Sequence, residues 1–197
     1  MILIFACATS DVLRTDLPLD DPGQPWICEI AAELVDADGN PLASFWSPIN
    51  SEGRKIKDGA AEVHGITSRD AAKHGVSEIA ALGVLIGMAN QAKVAVSFND
   101  HARKVVASIL IRNRKSVEKW MRPGLCFPEL REAVRAACKI PSETEDGQYR
   151  QPKIDEACSI LLSEPSREGP KSAHDDVQRV RRLFFELKRQ NLIEVVL

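Results

Sequence analysis

A chain of 197 residues with 44% hydrophobic content is sized for a single domain over 1–197 with a core of its own. Its formal net charge of −2 excludes a global basic field, so any phosphate-binding surface must be a local patch. The five cysteines form no CxxC pair and leave one unmatched, which argues against a disulfide frame or a zinc site and for free thiols in the cytoplasm.

The chain opens on an apolar run, Met1–Ala8, ended by the turn formers Thr9, Ser10 and Asp11. Ile2, Ile4 and Phe5 favour a strand, with Ile4, Ala6 and Ala8 on one face and Leu3, Phe5 and Cys7 on the other. A run apolar on both faces predicts a central strand covered by helices on each side. No basic segment precedes this run, so no signal peptide is expected. The longest apolar stretch, Ile79–Met88, is too short for a bilayer, so no membrane partner is expected either.

Asp11–Pro25 is a Pro- and Asp-rich loop, and Trp26–Val35 a second strand. Asp38-Gly39 centres a hairpin turn, with Leu42–Ile49 as the returning strand. A short helix over Asp58–Val63 is stopped by Gly65, and Thr67 or Ser68 caps another short turn. Ser77 caps a longer helix with Ile79, Leu82, Ile86 and Met88 on one face. Lys93–Phe98 is a Val-rich strand. His101–Arg112 is a helix with Val105, Val106, Ile109 and Leu110 inside and Arg103, Lys104 and Arg112 outside. Helices over Pro128–Cys138, Ile154–Leu162 and Asp175–Arg189 follow, with polar loops over Pro141–Tyr149 and Glu164–Lys171. The apolar tail Leu192–Leu197 is expected as a short edge strand or a docked end. Two antiparallel strands beside a buried first strand, then a crossover to a parallel one, give an α/β mixed sheet.

Four segments carry a resemblance. Phe5, Cys7 and Thr9 frame two alanines, Ala6 and Ala8. Glu62-Val-His-Gly-Ile-Thr67 follows the hairpin. Ser97-Phe-Asn-Asp-His-Ala102 joins the fourth strand to its helix. Lys171-Ser-Ala-His-Asp-Asp176 opens the last helix, preceded by Ile154-Asp-Glu-Ala-Cys158. In order and spacing the chain resembles the DnaQ-like DEDDh 3′–5′ exonucleases, across nearly its whole length. That resemblance implies a ribonuclease H-like mixed sheet with helices on both faces. It implies two Mg²⁺ or Mn²⁺ ions held by carboxylates at positions 6, 8, 102 and 176, with a histidine base at 171. The chain departs from this set: Ala6, Ala8 and Ala102 replace three ligands, Lys171 replaces the base, and Asp176 alone remains.

The chemistry of that departure is plain. Hard divalent ions take oxygen ligands and methyl groups offer none. Lysine carries its proton at neutral pH and is a poor base. Two explanations follow: an exonuclease whose catalytic carboxylates were deliberately truncated, which the repeated alanine favours, or a natural pseudo-exonuclease retained for binding nucleic acid or a protein. The expected ligands are 3′ ends of single-stranded DNA or RNA, or nucleotides. Thr9, His64, Asn99, Arg103 and Lys104 are the candidate contacts, and the apolar stretch Val63–Ile66 is a wall for a terminal base. Competing plain assignments are a helix cap for Asp176, a helix-end packing role for His64, and surface histidines at 101 and 174. The basic stretch Arg103, Lys104, Arg112, Arg114, Lys115, Lys119 and Arg122 is either a solvated helix face or a phosphate track.

Overall fold

The computed structural model describes residues 1–142 and 148–195. The opening apolar run forms β1, Ile2–Thr9, and it lies inside the sheet. β2, Ile27–Val35, pairs with it antiparallel, from Ile2↔Val35 to Ala8↔Glu29, with the register shifting between Ala8 and Thr9. β3, Pro41–Pro48, returns from the hairpin and forms one edge. The turn closes as expected: Asp36 Oδ1 accepts from the Asp38 and Asn40 amides, and Gly39 takes the positive φ of 92° that the turn demands. β4, Val94–Val96, runs parallel to β1, and the order is β3-β2-β1-β4.

Seven helices complete the described residues: α1 Asp58–His64, α2 Ser68–His74, α3 Glu78–Ala89, α4 Asp100–Arg112, α5 Leu130–Cys138, α6 Ile154–Leu162 and α7 Ala173–Arg189. They divide between the faces of the sheet as the alternation of β1 requires. Leu3 and Phe5 pack in a core with α3 and α4, where Trp120 meets the Phe5 ring edge-on at 5.1 Å. Ile2, Ile4 and Ala6 pack in a second core with α5, α6 and α7. The result is the ribonuclease H-like mixed sheet with helices on both faces.

Several local expectations change. The fourth strand is three residues long rather than Lys93–Phe98, because Ser97 Oγ turns back to donate to the Asn99 carbonyl at 2.6 Å and the chain leaves the sheet. α7 starts at Ala173, two residues early, because Ser172 takes the capping role by accepting from the Asp175 amide. Ser77 sits at the N-cap of α3, yet its side chain makes no capping bond. The buried face of α3 is Ala81, Leu82, Leu85, Met88 and Ala89, with Ile79 and Ile86 only partly covered. Arg112 is not free on the outside of α4: its two Nη atoms donate to the Gln24 and Pro25 carbonyls and tie down the first loop. The tail docks rather than pairs, with Ile193 and Val195 against the second core; Val196 and Leu197, and residues 143–147 of the polar loop, lie outside the described residues.

Candidate functional site

The open end of β1 brings three groups of elements together. Its last residues present Ala6 and Ala8 on the face that α7 covers. The Asn99 side chain caps α4 by accepting from the His101 amide at 3.0 Å, which sets Ala102 in the first turn of that helix. Asp176 stands one turn into α7. Around these positions lie two adjoining cavities that share Cys7, Ile154 and Asp176. One, of about 480 Å³, is lined by Ala8, Thr9, Val12, Val63 and His64, with Lys57, Arg167 and Lys171 on its polar side. The other, of about 360 Å³, is lined by Ala6, Asn99, His101 and Ala102. All four expected ligand positions therefore border one continuous region about Asp176.

Asp176 is not a helix cap: Ser172 has that place, accepting from the Asp175 amide and donating to the Asp175 carboxylate. Its Oδ1 lies 2.7 Å from Arg167 Nη1. The neighbouring Nε of the same guanidinium donates to Asp155 Oδ1 at 2.8 Å. Lys171 Nζ holds the other oxygen, Asp155 Oδ2, at 2.8 Å. Arg179 adds a longer approach to Asp155 at 3.7 Å. The Arg167 side chain is 11% exposed, against 39% for Lys171 and 33% for Asp176. Burial raises the Asp176 carboxyl above its ordinary range and outweighs the lowering by Arg167. Burial also acts upward on Asp155, but the bonds from Lys171 and Arg167 together hold that carboxyl low.

A third carboxylate lies beside the site on β2, outside both cavity linings. Glu29 is the cross-strand partner of Ala8, and its Oε2 accepts from the Ala173 amide at the start of α7 at 2.6 Å. Burial, its largest influence, pushes it above the usual carboxylate range. Cys7 faces the first core as its strand position requires, and burial beside Asp176 pushes the thiol up to about 12, so it is no nucleophile at neutral pH.

The candidate nucleic-acid residues separate. Thr9 Oγ1 donates to the Asp11 carbonyl at 2.7 Å and lies 3.3 Å from His101 Nε2. His64 is buried at the end of α1, where its Nδ1 accepts from the Ile66 amide and its ring borders the larger cavity. Val63 is exposed on the same wall. His101 is half-buried beside Thr9 rather than on the surface, whereas His174 is exposed and meets only the Trp46 edge. Arg103 and Lys104 reach neither cavity: Arg103 lies over the Phe127 ring, and Lys104 pairs with Asp100 at 2.6 Å. Within the basic stretch Lys104, Arg112 and Arg122 are engaged with Asp100, with the Gln24 and Pro25 carbonyls, and with the Ala89 and Ala92 carbonyls.

Sequence reasoning missed Arg167, Asp155, Glu29 and Lys57 as site residues. Glu29 and Glu33 had a signal, two carboxylates four apart in an otherwise apolar strand. Asp155 sat inside a matched segment. Arg167, in a loop of Pro, Ser and Gly, had none.

The residues present do not fit the two divalent ions that the resemblance implies. Three of the four positions carry no donor atom, and the fourth is engaged by a guanidinium. Among the described residues no group of three His, Cys, Asp or Glu is placed to hold a metal.

In sequence, no protein-family model and no curated protein matches the chain. In structure, it is similar to E. coli exonuclease I in complex with a dT13 oligonucleotide, with a TM-score of 0.76 at 16% identity over 95% of this chain. It is also similar to a product-bound exonuclease I (0.73, 18%, 97%) and to the exonuclease I of Methylocaldum szegediense (0.73, 14%, 96%). The chain spans 40–44% of the length of those proteins. At such identities the likeness is one of fold.

Proposed function

We propose that this chain is a 3′–5′ exonuclease scaffold that no longer hydrolyses and binds single-stranded nucleic-acid ends without metal. The observation that carries this reading is the Arg167–Asp176 pair. The one surviving carboxylate of the expected ligand set is engaged by a resident cation rather than facing an open metal site. A deliberately truncated enzyme would keep the rest of the metal site as it was. Here the general-base position also carries a lysine engaged with a carboxylate, which favours a natural pseudo-exonuclease.

The larger cavity has the chemistry for a terminal nucleotide. Lys57, Arg167 and Lys171 lie on its lining, paired with Asp11, Asp155 and Asp176, and Val12, Val63 and Ile154 give it an apolar side. In an active two-metal site the ions offset carboxylate repulsion of the phosphodiester. With methyl groups at three of the expected carboxylate positions that repulsion is reduced, and Lys57 and Lys171, paired with Asp11 and Asp155, are the lysines within reach of a backbone in the cavity. The exonuclease I structures that this fold matches include complexes with oligonucleotides, which favours the same ligand class here.

The test pairs an activity assay with a binding assay. Labelled single-stranded DNA and RNA should remain intact in Mg²⁺ or Mn²⁺. Metal-dependent digestion abolished by Asp176→Ala would overturn the loss of hydrolysis. The double change Lys57→Gln, Lys171→Gln should weaken oligonucleotide binding. It should also flatten the slope of log affinity against log salt by roughly 0.7 for each phosphate that is no longer neutralised. Unchanged affinity would remove the cavity as the binding site.

A further inference from the structure

The mismatch between this site and a metal pair has a specific structural cause. One guanidinium lies between two carboxylates that come from different helices: its Nε donates to Asp155 of α6, and its Nη1 makes a close ionic contact with Asp176 of α7 without hydrogen-bond geometry. Arginine is always charged, and its planar fork suits two carboxylates at once. Asp155 is buried, and Lys171 covers its second oxygen. Asp176 has Arg167 as its ion-pair partner among the described residues. Two carboxylates brought this close need positive charge between them, because a buried charge stripped of its partner is strongly destabilising.

We propose that Arg167 is the resident cation of this site: it takes the electrostatic place of a divalent ion between Asp155 and Asp176 and thereby excludes one. The rest of the arrangement serves that role. The loop carrying Arg167 is pinned close to α1, where the Lys171 amide donates to the Val63 carbonyl at 2.8 Å. Pro170 lies so near Gly65 that a Cβ there would meet it at 2.8 Å. The guanidinium is thus delivered by a segment with little freedom to withdraw. This inference shares the site of the proposed function but stands apart from nucleic-acid binding: it concerns why the site takes no metal, and its readout needs no nucleic acid.

Removing the guanidinium should leave a vacancy for a cation. Thermal unfolding of the full chain, Arg167→Ala and Arg167→Ala/Asp176→Asn is compared in EDTA and in millimolar Mn²⁺, with bound Mn²⁺ counted by electron paramagnetic resonance. The unmodified chain should bind no Mn²⁺ and show no shift in Tm. Arg167→Ala should melt lower in EDTA, recover by about 4 °C or more in Mn²⁺, and bind one ion. The double variant should lose both responses, since it removes the carboxylate that Arg167 leaves alone. If Arg167→Ala does not fold in EDTA, refolding in Mn²⁺ gives the same information: recovery supports the proposal, and equal failure in both overturns it. Equal Mn²⁺ binding by the unmodified chain and Arg167→Ala, or no response in either, also overturns it. Failure of oligonucleotide binding leaves this outcome untouched and bears on the proposed function alone.

Discussion

Positions 6, 8 and 102, where the resemblance implies carboxylates, carry methyl groups, and the charge beside them is balanced within the chain, through Arg167 and Lys171. Restoring Ala6→Asp, Ala8→Glu and Ala102→Asp therefore returns ligands to a site that already holds a cation. Calorimetry should find that this triple variant binds Mn²⁺ more weakly than the same variant with Arg167→Ala added. Equal affinities would show that the guanidinium does not compete. Histidine gives a second residue-scale expectation. Burial holds both His64 and His101 below the ordinary value of 6.5. Between those lowered values and 6.5 the unfolded chain binds more protons than the folded one, so stability falls as pH drops below about 6.5. His64→Asn keeps an acceptor for the Ile66 amide and should flatten that slope, as read by denaturant midpoints at pH 7.5 and 5.5. An unchanged slope would exclude His64 as a contributor. The four positions expected to hold ligands could be picked out because the residues framing them keep their pattern, and all four border the cavities about Asp176. Arg167 was not, because an ion-pair partner in a loop has no fixed spacing from what it pairs with.

Secondary structure was legible wherever periodicity and caps agree. β1, the hairpin at Asp38-Gly39, and α6 at Ile154–Leu162 carry both an apolar pattern and clear end signals. β4 was overextended because Phe98 prolongs the apolar pattern past Ser97, while the turn that ends the strand depends on a side-chain bond that composition does not reveal. Two elements link fold to site. α7 begins where Glu29 and Ser172 take its first amides, so Ser172→Ala should cost about 1 kcal/mol in chemical denaturation. Gly65 ends α1 with a φ of 78° and packs beneath Pro170. Gly65→Ala should destabilise by roughly 1–2 kcal/mol through the left-handed conformation alone. It should also displace the segment that carries Arg167 and Lys171, which amide chemical shifts over 163–172 would report. Shifts confined to α1 would contradict that coupling.

At the scale of the molecule, the sheet separates two apolar cores, and a cleft with apolar and charged walls opens at the end of β1. Trp120 closes the first core between Phe5 and Phe127, and Trp120→Ala should lower stability by about 3–5 kcal/mol without altering the cleft chemistry. The fold is that of exonuclease I over less than half of that protein's length, and the cleft stands where the four positions expected to hold ligands meet. On the proposed reading this cleft receives a nucleic-acid end through its own cations rather than through metal. Fluorescence anisotropy with a short labelled single strand at low salt, titrated in EDTA and again in Mg²⁺, puts that reading at risk. Saturable binding with the same affinity in both buffers, weakening as salt rises, is expected. Binding that requires Mg²⁺, or none to DNA or RNA at low salt, would contradict it.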